Sequence, residues 1–204
     1  MRFYDSLGPN PKVVRVFMAE KGITVPLEKV DLRAGENRQE AHLKRNPHGQ
    51  LPALELDNGS YLSEITAICE YLEDKHPKPP LIGSTPEEKA ECRMWTRRVD
   101  LNICEHLANG YRFGEGNDFI KSRILTAPEA SPGIKAIAQN RLSWLDGQMV
   151  DGREYLCGKR FTLADILLYC FVTFFAKVGQ PIEATNKNIG AWIERVGGRP
   201  SMKA

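Results

Sequence analysis

Cysteine is the residue type here with the most intrinsic reactivity, and its spacing argues against its use. The five cysteines, Cys69, Cys92, Cys104, Cys157 and Cys170, are odd in number, and none forms a CxxC pair. That pattern fits a reduced protein with buried thiols better than a disulfide scaffold or a zinc site. Cys69 and Cys170 fall on apolar helical faces, where packing is their ordinary use. The more promising chemistry belongs to the backbone. In NPHGQLPALEL, residues 46–56, Pro52 opens what reads as a strand. Proline gives no hydrogen to a sheet ladder, so it sits at a strand's first residue or on an edge. The backbone of Leu51 before it is then left unpaired. Two helix starts, near Asn10-Pro11 and at Glu64-Ile65, add free N–H groups and a positive dipole end, which suit a carboxylate or a thiolate.

The elements that must position these groups can be read in order. MRFY (1–4) is a short strand, followed by the turn-forming DSLGPNP. Val13, Val14, Phe17, Met18 and Lys21 then recur at helical spacing up to Gly22. Asn10 suits the N-cap of that helix and Pro11 its first position. PLEKVDL is a second strand, and a strand–helix–strand order calls for a parallel pair. AGENRQEAHLKRNP is polar and partly helical. QLPALEL and SYL flank Asp57-Asn58-Gly59, a hairpin turn. EITAICEYLEDKH is a helix with Ile65, Ile68, Cys69 and Leu72 on one face.

PKPPLIGSTP has no periodicity and reads as a linker. Everything beyond it is helical in pattern: a long helix ending at Gly110, then helices over about 132–149, 162–178 and 189–196. Thr162 and Asp165 stand in the relation of a capping box, with Phe161 and Ile166 placed as its hydrophobic staple. The expected architecture is α/β plus all-α, with domains at 1–76 and 87–204 joined by a linker at 77–86.

The bulk numbers exclude several functions. A chain of 204 residues with 42% hydrophobic and 26% charged residues has the makeup of a globular protein. Net charge +2 gives no electrostatic case for nucleic acid or an anionic membrane surface. No apolar run reaches bilayer length, and the first residues have no hydrophobic stretch of signal-peptide type. A cytoplasmic location is therefore expected.

This order of parts, together with LPALEL, SEITAICEYLE, TLADILL and WIERVGGRPS, resembles the cytosolic glutathione transferase family over the whole chain. It is similar in particular to the bacterial nu-class members and to the atypical fungal-type transferases. The resemblance implies a thioredoxin-like N-terminal domain and a helical-bundle C-terminal domain. It implies that the bond before Pro52 is cis and that the backbone of Leu51 pairs with the cysteinyl part of glutathione as an added strand would. Glu64 and Ile65 take the place of the family's Glu-Ser pair: Glu64 anchors the γ-glutamyl end, and Ile65 gives a backbone N–H but no hydroxyl, with Thr66 next in line. The glycyl carboxylate falls to His48 or Gln50. Asp100 corresponds to the acidic residue that reaches the glutathione amine of a partner subunit, in a homodimer built on residues 90–104.

The residue that ionises the thiol stays open. Gly8 stands where many members carry serine. Asn10 is preferred, since nu-class enzymes place an asparagine beside the sulfur; Ser6 and Tyr4 lie further back. In the fungal type a water held near the end of the first long helix does this work instead, and His106, Asn109, Tyr111 and Arg112 are the polar residues there. Tyr111, with Arg112 and Asn109, is expected to line the hydrophobic substrate site. The implied function is transfer of glutathione, as co-substrate and without a metal, to electrophiles, or the reduction of peroxides or disulfides. The alternative is a non-catalytic glutathione-binding or interaction protein of the same fold.

Overall fold

The computed structural model describes residues 1–204, which divide into two compact units, Met1–Leu81 with Lys203–Ala204, and Ile82–Met202. In the first, β1 (Arg2–Asp5), β2 (Leu27–Lys29), β3 (Ala53–Glu55) and β4 (Tyr61–Ser63) form one sheet in the order β2-β1-β3-β4. β1 and β2 run parallel, as a strand–helix–strand unit requires, and β3 is antiparallel to both β1 and β4. Two helices, α1 (Pro9–Glu20) and α3 (Ile65–Lys75), pack on each other, and the short α2 (Glu40–Leu43) lies between them in sequence. α1 buries Val13, Val14, Val16, Phe17 and Met18; α3 buries Ile68, Cys69 and Leu72. This is the thioredoxin-like arrangement.

Two local expectations shift. α1 begins earlier than Asn10-Pro11 suggested: Gly8 is the N-cap, Pro9 the first helical residue, and Asn10 lies inside the first turn. The cause is Gly8 itself, whose φ of 133° is a conformation that costs glycine little and L residues much. In the hairpin only Gly59 has positive φ, at 81°, because the turn is wider than a two-residue one: the Leu56 N–H donates to the Ser60 carbonyl.

The second unit is helical. α4 (Pro86–Val99) starts on Thr85, whose Oγ1 accepts from the Glu88 N–H at 3.2 Å. It continues through a π-helical stretch, Asp100–Cys104, into α5 (Glu105–Phe113). α6 (Asn117–Ile120), α7 (Ser131–Gln148), α8 (Leu163–Ala176) and α9 (Lys187–Gly197) follow. α8 is buried on nearly every side and packs against α4, α5 and α9. Its capping box is present: the Thr162 N–H donates to Asp165 at 3.0 Å, and the same carboxylate accepts from the Leu156 N–H and Trp192 Nε1. Phe161 stacks edge-on with Tyr155, at 5.4 Å between ring centres.

The long helix does not end at Gly110. It runs on to Phe113, and Gly110 is buried inside it. A Cβ there would lie 2.8 Å from Lys135 Cγ and 2.9 Å from Gln180 Oε1, so this glycine serves close packing rather than helix termination.

Candidate functional site

The register of the sheet gathers one set of candidates. Tyr4 pairs with Ala53 and Ala53 with Ser63, so the next residues along each strand share one end of the sheet. There Asp5 and Ser6 leave β1, Leu51 and Pro52 enter β3, and Glu64 and Ile65 leave β4 for α3. The Leu51-Pro52 bond is cis. Neither the N–H nor the C=O of Leu51 has a hydrogen-bond partner in the chain. An extended peptide laid there would find one donor and one acceptor waiting.

Glu64 is the one non-glycine residue with positive φ, at 69°, and it is the N-cap of α3. Such backbone holds about 1–3 kcal/mol of strain and clusters at ligand sites. The Glu64 side chain is exposed and makes no hydrogen bond. The N–H groups of Ile65 and Thr66, in the first turn of α3, are open to a carboxylate.

α1 starts just past the end of β1. Pro9 and Pro11 lack hydrogens, so the free amides of its start come from Gly8 and Asn10. The Asn10 side chain is half-buried and has no partner within the chain, and helix capping does not occupy it. Ser6 is buried, and its hydroxyl donates to the Leu7 carbonyl at 3.4 Å. Tyr4 is committed elsewhere. Its hydroxyl donates to Glu55 at 2.8 Å, and burial, then that bond, pushes its pKa up to about 12.

The loop before Pro52 is held in a way the sequence did not announce. Asn37 Nδ2 donates to the Gly49 carbonyl at 2.6 Å. His42 Nε2 and Asn46 Nδ2 both reach the Gln50 carbonyl, each at 3.0 Å. Arg38 Nη1 reaches the His48 carbonyl at 3.3 Å. Asn37, His42 and Asn46 are buried, whereas the side chains of His48 and Gln50 are exposed. The segment carrying the donors is polar throughout, without periodicity, so its inward-facing residues have no pattern to betray them.

Asp100, Asn109, Tyr111 and Arg112 belong to the helical unit. Asp100 opens the π-helical stretch, with Arg97 at 3.9 Å. Asn109 is tied along α5, donating to Glu105 at 2.8 Å and accepting from Arg112 at 3.0 Å. Tyr111 lies in the last turn of α5, where its carbonyl accepts from the Gly114 and Gly116 N–H groups. Its ring packs 5.8 Å from that of Phe175 and over Gly116.

Comparison with known proteins agrees with this arrangement. Residues 8–75 match the model of the glutathione S-transferase N-terminal domain and residues 128–195 that of the C-terminal domain. The chain is 29% identical over 206 residues to glutathione S-transferase 2 of Saccharomyces cerevisiae, covering 100% of this chain and 88% of that one. Among solved structures, Gtt2 of Saccharomyces cerevisiae superposes with a TM-score of 0.91 at 29% identity, over 100% of this chain and 99% of that one. A glutathione S-transferase domain-containing protein of Marinobacter aquaeolei does so with a TM-score of 0.89 at 33% identity, over 99% and 100%. The chain belongs to the glutathione S-transferase family. As in other glutathione S-transferases, the thioredoxin-like unit precedes the helical one. No helix of this transferase-family chain is long and apolar enough to cross a membrane.

Proposed function

We propose that this chain is a catalytically active glutathione transferase that ionises the glutathione thiol at the start of α1. The observation that carries this is the unclaimed backbone of Leu51, side by side with the exposed Glu64 at one end of the sheet. Leu51 N–H and C=O pair with the cysteinyl residue. Glu64 takes the amino group of the γ-glutamyl end, and the first-turn N–H groups of Ile65 and Thr66 take its carboxylate. His48 or Gln50 meets the glycyl carboxylate. The sulfur then sits by the start of α1, where the Asn10 amide donates to it and the helix dipole favours the thiolate. Pro52 closes the floor of the site.

The thiolate attacks an electrophilic carbon; a sulfur–carbon bond forms, the leaving group departs with its electron pair, and the proton lost from the thiol goes to solvent. When the acceptor is a hydroperoxide or a disulfide, the thiolate attacks oxygen or sulfur, and the O–O or S–S bond breaks with the alkoxide or thiolate leaving. A second glutathione then converts the sulfenic acid or mixed disulfide to glutathione disulfide, with water or the second thiol released. Tyr111, Arg112 and Asn109 contribute to the acceptor site. A cytoplasmic homodimer, with Asp100 reaching the partner subunit's glutathione, belongs to this reading. Gly8 and Ile65, which bring no hydroxyl, favour a second reading in which the chain binds glutathione without turnover. Retention on immobilised glutathione, followed by turnover of a chloronitroaromatic and of cumene hydroperoxide, separates the two. Retention with neither turnover selects the binder.

A further inference from the structure

The peptide units before Pro52 are gripped from one side only. The Gly49 carbonyl is held by Asn37, and the Gln50 carbonyl by both His42 and Asn46. A carbonyl oxygen has two lone pairs, so two donors at 3.0 Å each fill the capacity of Gln50. The Gln50-Leu51 peptide is trans, and a trans peptide is planar with its N–H pointing opposite to its C=O. Fixing the Gln50 oxygen toward α2 therefore fixes the Leu51 N–H in the opposite direction. That N–H is the donor the site depends on.

We propose that His42 and Asn46 are positioning residues for glutathione, which aim the Leu51 N–H by locking the peptide plane before it. This rests on the glutathione reading above and goes one layer beneath it. The ring of His42 is suited to the task. A carbonyl only accepts, so Nε2 is the donor in this contact. Nδ1 is buried and has no partner, which leaves the Nε2–H as the one polar use of a buried imidazole. Asn46 is anchored in turn, since its Oδ1 accepts from the His48 N–H at 3.1 Å. A residue that merely filled this space would be replaceable by phenylalanine without consequence for the ligand.

The test uses the full chain with His42→Phe, His42→Gln and Asn46→Asp. Melting temperature identifies the folded variants. His42→Phe is expected to raise KM for glutathione about fivefold, the weight of one neutral hydrogen bond. Its kcat at saturating glutathione should stay within about twofold of wild type, because the bound geometry is recovered once the ligand itself holds the plane. Amide hydrogen exchange at Gln50 and Leu51 should quicken while α1 keeps its protection. His42→Gln, which restores a donor, should recover most of the KM. Asn46→Asp keeps the acceptor for His48 and loses the donor to Gln50, so it carries the same test if His42→Phe does not fold. Unchanged KM and unchanged exchange in a folded variant overturn the positioning role alone. A wild type that neither binds nor turns over glutathione overturns the functional reading and the role together.

Discussion

Lys21 Nζ lies 2.6 Å from Glu73 Oε2, with the lysine side chain wholly buried. The same ammonium donates to the carbonyls of His76 and Pro79, at 2.6 and 2.7 Å. Its three hydrogens thus have three acceptors, and the end of α1 is fastened to the chain that follows α3. Removing one member of a buried pair strands the other, at a cost of about 3–5 kcal/mol. Lys21→Met is expected to lose that much in urea unfolding, and Lys21→Met with Glu73→Leu to recover a substantial part. A loss below about 1 kcal/mol for the single change would contradict this.

The thiol provides the second expectation. Asn10→Ala should raise the pKa of bound glutathione by about one to two units, the weight of a hydrogen bond to a charged group. Because Gly8 caps α1 and Asn10 does not, stability should change by less than about 0.5 kcal/mol. Thiolate absorbance titrated on the complex reads the first quantity and thermal unfolding the second. A thiol pKa unmoved by Asn10→Ala but moved by Arg112→Ala assigns activation to α5.

Glu64 sets stability against binding. Glycine adopts a φ of 69° freely, so Glu64→Gly relieves the strain there and gives back part of it as unfolded-chain entropy. A net gain of about 1 kcal/mol is expected. Glutathione affinity should fall by about tenfold or more with the loss of the carboxylate. Calorimetry on one preparation measures both, and a variant that is less stable or binds as well sinks the assignment.

Asp165 predicts a pH dependence. Burial pushes its carboxyl up to about 6, against four hydrogen bonds that favour the charged form. In the unfolded chain it titrates near the usual value of about 3.9. Between those values the folded state holds more protons than the unfolded one. Its contribution to stability is therefore fully present below about pH 4 and is lost as pH rises through about 6, by on the order of 3 kcal/mol. The difference between wild type and Asp165→Asn in urea midpoint should carry that slope between pH 4 and 6 and be flat above. Parallel curves across the window would exclude it.

Much of the fold was legible because its signals are local. The period of α1, the strand–helix–strand order and the Thr162–Asp165 box each sit within a few residues of chain. Lys21 fell on the apolar face of α1 by spacing alone, and it is indeed buried there, but its partner on α3 is 52 positions away and has no sequence signature. The start of α1 was misplaced because two prolines and a glycine compete for it, and only backbone angles decide. Leu51, Glu64 and the loop at His48 were nameable as candidates from motif resemblance. The side chains that hold that loop were not. Asn37, His42 and Asn46 are polar residues in a polar stretch, and their burial follows from tertiary packing.

The π-helical stretch at Asp100–Cys104 holds one residue more per turn than its neighbours would. In a regular α-helix an added residue would rotate everything downstream by about 100° about the helix axis; the wider turn absorbs it instead. A wheel drawn straight through residues 86–113 therefore misassigns every face after Asp100. Deleting a single residue there would restore a regular helix and keep its phase, leaving Tyr111 on Phe175 and Gly110 in the narrow gap beside Lys135 and Gln180. The irregularity acts as a buffer, letting one continuous rod carry an extra residue without turning its far end.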